Sequence, residues 1–176
     1  MRIYIASSWR CPHYRPVLEV LRAAGFDCYD FQNPESAFSW SQIDPNWKSW
    51  STREYIGHLA HPLAKKGFCN DSSAMILADA CVLVLPSGRS AHLEAGWFIG
   101  QSKPTVVLIL DKATEPELMY LAATRICTSI DEMIAVFREM HCEMFTRLPY
   151  VISDCEGHGH YECEECSRNM KEEQGA

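Results

Sequence analysis

The sequence predicts an α/β domain with a doubly wound, flavodoxin-like parallel sheet of about five strands, in the order 2-1-3-4-5, and helices on both faces. Two observations support this prediction. Short apolar runs alternate along the chain with longer segments whose apolar residues recur at helical spacing. The runs ACVLVL and PTVVLIL are apolar at consecutive positions, which is typical of strands buried on both faces of a parallel sheet. With 176 residues, of which 47% are hydrophobic, the chain suits one domain of this kind.

The chain begins with a β-α-β unit, whose crossover should be right-handed. Arg2–Ala6 is the predicted first strand. Pro12–Ala24 is a predicted helix, because its aliphatic residues form one stripe and Gly25 follows as a natural stop. Asp27–Phe31 is the predicted second strand.

The segment Gln32–Trp50 interrupts this alternation, since it holds several aromatic residues and few aliphatic ones. Connections of this length are uncommon and often functional. Two interpretations are open. The segment is either a surface loop held in place by its own aromatic side chains, or a lid that stacks on a planar ligand.

The second half of the domain resumes the alternation. A helix is predicted over Thr52–Gly67, with a break or kink before Pro62, and a separate short helix over Asp71–Ala78. The elements predicted after these are a strand at Ala80–Leu85, a helix at Ser90–Gly100, a strand at Pro104–Leu110, a connection at Asp111–Tyr120, a strand at Arg125–Thr128 and a helix with a capping box from Ser129 to Glu132.

The composition changes from Pro149 onward, so we divide the chain into a domain at residues 1–148 and a tail at residues 149–176. The tail contains closely spaced cysteine and histidine residues, and zinc binds both in tetrahedral sites. Binding of zinc could fold a segment that has few aliphatic residues of its own. A structural zinc site and a disordered tail are both open. The candidate ligands are Cys155, His158, Cys163 and Cys166.

Charge and composition limit the class of protein. The formal net charge of −7 and the pI of about 5.5 argue against a broad basic surface for nucleic acid. No apolar run approaches the roughly 20 residues of a membrane span, and the first residues do not form a signal peptide. We therefore expect a cytoplasmic protein whose nine cysteines are reduced thiols.

Two turns are expected to form the binding site. In the order 2-1-3-4-5 the first and third strands are neighbours, so the turns SSWR and PSGRS should face one crevice at their carboxyl ends. Serine, arginine and a helix amino terminus could together bind a phosphate or a carboxylate. Glu94 follows on the next helical turn, where it faces either solvent or the crevice. By default Asp71 would cap a helix and Tyr4 would be a core residue.

The chain resembles the nucleoside 2-deoxyribosyltransferase family and its relatives, the deoxynucleoside 5′-monophosphate N-hydrolases. The resemblance rests on IYIASSWR near the start, on the Asn70-Asp71 pair eight residues before Asp79, on GRSAHLEAGW and on KPTVVLIL. These pieces follow one another in family order between residues 2 and 110.

The resemblance implies roles for individual residues. Glu94 would be the nucleophile that attacks C1′ of the sugar, and Tyr4 would hydrogen-bond and orient it. Asp71 would protonate the departing base. Ser8 and Arg10 match the pair that the monophosphate hydrolases use for the 5′-phosphate.

One position departs from the transferase pattern. The transferases carry an aspartate six residues before the glutamate, where this chain has Gly88. The hydrolases carry a serine there, and Ser87 is adjacent. Arg89 and Ser90 would add donors for a phosphate. The resemblance therefore favours a nucleotide substrate.

The function implied is cleavage of the N-glycosidic bond of a (deoxy)nucleoside 5′-monophosphate, with release of the free base. A base-exchanging 2-deoxyribosyltransferase, an NAD-cleaving hydrolase and a non-catalytic nucleotide-binding module are alternatives. The resemblance also implies that catalysis needs no cofactor, that the partner is a small nucleoside or nucleotide rather than a nucleic-acid polymer or a membrane, and that the protein is a homodimer.

Overall fold

A computed structural model describes residues 1–34, 37–111 and 116–146. The chain is divided into two compact units, Met1–Val136 and Phe137–Ala176. The strands are β1 (Arg2–Ala6), β2 (Asp27–Cys28), β3 (Ala80–Val84), β4 (Thr105–Leu108) and β5 (Arg125–Cys127). The helices are α1 (Tyr14–Ala23), α2 (Thr52–His58), α3 (Pro62–Leu77), α4 (Arg89–Gly100) and α5 (Ile130–Thr146). All five strands and helices α1 to α4 belong to the first unit.

The sheet confirms the predicted fold class. Its order is β2-β1-β3-β4-β5, and each neighbouring pair is parallel. β1 and β3 lie side by side with Tyr4 opposite Cys81. Their carboxyl ends are therefore at the same edge, where ligands of open parallel sheets bind.

The core that supports this edge lies between the sheet and α4. Ala91, Ala95 and Phe98 are buried on α4, and their spacing of four and three residues makes one helical stripe. The two alanines lack bulk, so the helix approaches the strands closely. The buried cluster consists of Tyr4, Ala6, Ala78, Cys81, Leu83, Ala91, Ala95, Phe98 and Val107.

The helices before β3 agree with the prediction at Pro62 and differ from it after Gly67. The expected break before Pro62 is present, since α2 ends at His58 and α3 begins at Pro62, but α3 then runs without interruption to Leu77, where a helix ending at Gly67 and a separate helix over Asp71–Ala78 were expected. Proline is favoured in the first helical turn, and Nδ1 of His61 accepts the amide of Leu63 at 3.2 Å, so a new helix begins there. Asp71 consequently lies well inside α3 and caps no helix.

The second strand is shorter than Asp27–Phe31. It ends at Cys28, because the Asp30 carboxylate accepts the backbone amide of Gln32 at 2.9 Å and turns the chain. Tyr29 therefore follows the carboxyl end of β2. The other strand and helix ends lie within two residues of the predicted ones, and the first strand matches at both ends.

The contacts within the aromatic segment favour a surface loop held in place by its own aromatic side chains over a lid. The Trp50 ring stacks on His58 of α2 at 4.0 Å, and its Nε1 donates to Asp44 at 2.7 Å. Trp40 contacts Trp50 and also Phe38 edge-on. The described part of this segment is held by its own side chains and by α2.

Among the residues that the structure describes, no helix combines the length and hydropathy that crossing a membrane requires. The predicted boundary between the domain and its tail at residues 148 and 149 lies outside the described residues and stays a prediction.

Gly67→Ala should destabilise the protein although alanine is the better helix former. A Cβ at Gly67 would lie 2.7 Å from Cβ and 2.9 Å from Cγ of Phe38, and overpacking of this kind costs about 1–3 kcal/mol. The matched control is Gly57→Ala in α2, where nothing lies within 4 Å of the new Cβ. It should be neutral or stabilising by up to about 1 kcal/mol. Urea unfolding measures both, and equal stabilisation by the two substitutions would contradict the close contact at Gly67.

Candidate active site

Glu94 lies on the face of α4 that is directed toward the sheet. It follows Ala91 by three residues and precedes Phe98 by four, and both of these are buried. Its carboxyl group is largely buried, and the pKa of Glu94 is raised to about 7. Burial is the main cause of this rise, the negative charge of Asp71 adds to it, and a hydrogen bond from Tyr4 opposes it. The solvent-facing alternative for Glu94 is therefore excluded.

Tyr4 connects the sheet to this carboxyl group. It lies in β1, is 2% exposed, and its hydroxyl hydrogen-bonds the Glu94 carboxylate. Burial raises the pKa of Tyr4, and the charges of Glu94 and Asp71 raise it further, so the phenol stays a neutral donor. A donor held in a buried strand restricts where the Glu94 carboxylate can lie.

Asp71 approaches the same place from α3. The hydroxyl of Tyr29 donates to its Oδ1 at 3.0 Å. Burial raises the pKa of Asp71, and the hydrogen bond from Tyr29 lowers it. A carboxyl group with a raised pKa can act as a general acid, which is the property that protonation of a leaving base requires.

Two stacked tyrosines thus hold the two carboxyl groups. The rings of Tyr4 and Tyr29 lie 6.2 Å apart with an interplanar angle of 15°, and the Tyr4 ring lies 5.6 Å from that of Phe98. Two neighbouring carboxylates repel each other, so the pair retains a proton more readily than either group alone would.

The two predicted turns follow β1 and β3. Oγ of Ser7 donates to the carbonyl of Val84 at 3.2 Å and ties the two strand ends together. Oγ of Ser8 accepts the backbone amide of Arg10 at 3.2 Å. Within the part of the chain that the structure describes, the guanidinium groups of Arg10 and Arg89 form no ion pair.

The start of α4 also offers hydrogen-bond donors that could bind a ligand. Gly88 is its N-cap and supplies no side-chain cap, and Ser90 lies exposed in the first turn. The buried Oγ of Ser87 has no hydrogen-bond partner among the described residues. The free amides of a helix amino terminus and nearby arginines suit an anion.

His92 has a structural role that the sequence did not indicate. Its Nδ1 lies 2.8 Å from the carbonyl of Gly88, and its Nε2 lies 2.9 Å from the hydroxyl of Tyr120. The imidazole therefore ties the start of α4 to the turn that carries Tyr120.

The predicted zinc site cannot be compared with the structure, because Cys155, His158, Cys163 and Cys166 lie outside the described residues. Elsewhere, in residues 1–34, 37–111 and 116–146, no group of three or more histidine, cysteine, aspartate or glutamate side chains is arranged to hold a metal ion.

Glu94→Gln should stabilise the fold at pH 8 and leave it nearly unchanged at pH 4. Since the pKa of Glu94 rises from 4.5 to about 7 on folding, the folded protein holds a proton that the unfolded chain releases, and the free energy of unfolding falls as pH rises through this range. Glutamine cannot ionise and avoids that loss. We expect a gain of about 1–3 kcal/mol at pH 8, allowing for solvent screening.

Urea unfolding at the two pH values measures this gain, with Glu19→Gln at an exposed position of α1 as the control that should show none. A Glu94→Gln variant that is no more stable than the wild type at pH 8 would show that Glu94 is not a buried, destabilised carboxylate.

Solved structures with a similar fold include a 2-deoxyribosyltransferase. No family model and no curated protein matches the sequence. A 2-deoxyribosyltransferase from the psychrotolerant bacterium Bacillus psychrosaccharolyticus, a biocatalyst for nucleoside synthesis, matches with a TM-score of 0.52 and 16% identity, over 76% of this chain and 90% of the other. A conserved protein from Enterococcus faecalis V583 matches with a TM-score of 0.50 and 15% identity, over 80% and 98%.

A CMP N-glycosidase from Clostridium botulinum, BcmB, matches with a TM-score of 0.42 and 14% identity, over 80% of this chain and 99% of the other, and a score this low supports no conclusion. Likeness at such identities establishes the fold. The resemblance indicated by the sequence motifs is therefore confirmed at the level of the fold, and this chain folds as a 2-deoxyribosyltransferase does.

Proposed function

We propose that the protein cleaves the N-glycosidic bond of a (deoxy)nucleoside 5′-monophosphate and releases the free base, with Glu94 as the nucleophile. The observation that carries the proposal is the arrangement at the edge of the sheet. A buried tyrosine of β1 hydrogen-bonds Glu94, and the charge of Asp71 acts on the same carboxyl group. The fold shared with a 2-deoxyribosyltransferase supports the same class of reaction.

The chemistry needs a nucleophile below the sugar and a proton for the base. A Glu94 oxygen attacks C1′, the bond from C1′ to the base nitrogen breaks, and its electron pair leaves with the base. The positive charge that develops on the sugar ring is stabilised by the carboxylate, and a glycosyl–Glu94 ester forms. Asp71 supplies the proton that the departing base takes. Water then attacks C1′ and regenerates the carboxylate, and two displacements retain the configuration.

The ionisation of Glu94 fits this role. With a pKa of about 7, a substantial fraction of Glu94 is ionised at neutral pH, and the hydrogen bond from Tyr4 favours that form. Positive charge at C1′ would favour it further, so the stabilising interaction is strongest in the transition state. A largely buried carboxylate is also poorly hydrated, which strengthens its attraction for the sugar cation.

The free cationic and hydroxyl groups support a phosphate-bearing substrate. Ser8 and Arg10 follow β1, Arg89 and Ser90 begin α4, and both turns lie at the edge where Glu94 is. A guanidinium group can bind a phosphate through two parallel hydrogen bonds, and the amides at the start of α4 add to its binding. We infer that these residues bind the 5′-phosphate.

Base exchange is the second candidate, favoured by the match to a 2-deoxyribosyltransferase. It uses the same glycosyl–Glu94 ester and differs only in that a second base, rather than water, attacks C1′. Gly88 stands where the transferases carry an aspartate, which is the reason that we place hydrolysis first. The NAD-cleaving hydrolase and the non-catalytic binding module are distinguished from both by the same assay. Cytoplasmic location and a homodimer remain predictions.

Glu94→Gln should abolish the release of free base, with a loss of at least about 10³-fold in kcat, because an amide is a poor nucleophile. Tyr4→Phe should lose less, about 10- to 100-fold, since it removes only one hydrogen bond to the nucleophile. Free base is measured by chromatography with a panel of ribo- and deoxyribonucleoside monophosphates, the matching nucleosides and NAD, each with and without a second base.

Release from monophosphates without an acceptor supports the hydrolase, and a new nucleoside that forms only with an acceptor base supports the transferase. Release from NAD alone would support the NAD-cleaving alternative. Base release that persists in Glu94→Gln at the wild-type rate would overturn the mechanism. Nucleotide binding without any base release would indicate the non-catalytic module.

A further inference from the structure

Tyr29 stands beside the proposed catalytic residues, and neither the sequence motifs nor the resemblance gives it a role. It follows the carboxyl end of β2, and its hydroxyl donates to Oδ1 of Asp71 at 3.0 Å. We propose, on the basis of the glycosidase function above, that Tyr29 is a positioning residue for Asp71. It holds one carboxylate oxygen so that the other delivers the proton to the departing base.

The position of the Tyr29 ring is fixed from two sides. The ring stacks on Tyr4 at 6.2 Å and 15°, and Tyr4 is part of the buried core. The next residue, Asp30, accepts hydrogen bonds from Tyr14 and from Arg15, each at 2.7 Å. The hydroxyl that meets Asp71 therefore extends from an anchored part of the chain.

Asp71 has its two carboxylate oxygens in different environments. Oδ1 accepts the hydrogen bond from Tyr29, whereas Oδ2 has no hydrogen-bond partner in the described part of the protein. A proton on Asp71 is thus expected on Oδ2, because Oδ1 is already occupied as an acceptor. This arrangement selects one oxygen as the acid.

The hydrogen bond also contributes to the step itself. When the bond from C1′ to the base breaks, the electron pair stays on the base nitrogen, the proton passes from Oδ2 of Asp71 to the base, and a Glu94 oxygen bonds to C1′. Asp71 is then a carboxylate, and the phenol of Tyr29 stabilises that anion. The same hydrogen bond opposes the effect of burial on the pKa of Asp71, so it keeps Asp71 acidic enough to give up its proton.

The test compares leaving groups. Nicotinamide mononucleotide and 7-methylguanosine 5′-monophosphate carry a base that is already cationic, so the base departs as a neutral molecule without a proton. Tyr29→Phe keeps the ring and removes the hydroxyl. It should lower kcat for monophosphates of ordinary bases about tenfold or more, and that for the cationic bases by less than about twofold. Asp71→Asn should show the same pattern with a loss of about 10²- to 10⁴-fold for ordinary bases.

Tyr14→Phe is the matched control, because it removes a tyrosine–aspartate hydrogen bond of 2.7 Å at Asp30, which Arg15 still binds at 2.7 Å, and leaves the Tyr29 hydroxyl in place. It should change stability without changing the dependence on the leaving group. Equal losses for both kinds of substrate in Tyr29→Phe, or no loss for either, would overturn the role of Tyr29.

A second readout separates this inference from the proposed function. A carbon-13 NMR titration of the Asp71 carboxyl group needs no turnover. In Tyr29→Phe the pKa of Asp71 should lie above that of the wild type, because the hydrogen bond to the carboxylate is lost. If the wild type releases no base from any substrate, the proposed glycosidase function is wrong. Tyr29 then has no role in catalysis either. An unchanged pKa of Asp71 would show that Tyr29 does not hold it at all.

Discussion

Burial of two carboxyl groups in one poorly hydrated space is the constraint on which the site depends. Glu94 and Asp71 come from different helices and are both withdrawn from water, which raises the pKa of each. Two such groups do not ionise independently, because the charge of one raises the pKa of the other. When such a pair holds a single proton, one group is a carboxylate, which can act as a nucleophile. The other is a carboxylic acid, which can donate its proton.

The tyrosines decide how the pair is arranged. Tyr4 donates to Glu94, Tyr29 donates to Asp71, and the two rings stack on each other. Each phenol favours the ionised form of its own carboxyl group, so the location of the proton depends on the balance between them. The fold places these residues at the carboxyl ends of the strands. β1 and β3 are neighbours, α4 packs on them through Ala91 and Ala95, and α3 passes close enough to present Asp71.

The sequence predicted the sheet well because its signal is local. Continuous apolar runs mark strands that are buried on both faces, and β3 and β4 lie where these runs are. The orientation of Glu94 was open from the sequence, although its spacing from Ala91 and Phe98 places it beside the stripe of α4 that packs on the sheet. That spacing is the signal that favours the orientation toward the sheet.

Other parts of the site depend on contacts that the sequence does not reveal. Asp71 was expected to cap a helix, but Pro62 starts α3 earlier and places Asp71 in its interior. Tyr29 was assigned to a predicted strand, which suggested no role for its hydroxyl. Its partner Asp71 is distant in sequence, so no spacing rule connects the two residues. The zinc hypothesis for the tail rests on the types and spacing of its cysteine and histidine residues and remains a prediction.

The measurement that tests the central claim most directly is the capture of the glycosyl–Glu94 ester. A nucleoside 5′-monophosphate with fluorine at C2′ slows both displacements, because fluorine withdraws electrons from the positively charged sugar. Mass spectrometry of the wild-type protein should show the added mass of one fluorinated sugar phosphate, located on the peptide that contains Glu94 and absent from Glu94→Gln. Turnover of this substrate with inverted configuration, or an adduct on another residue, would contradict Glu94 as the nucleophile.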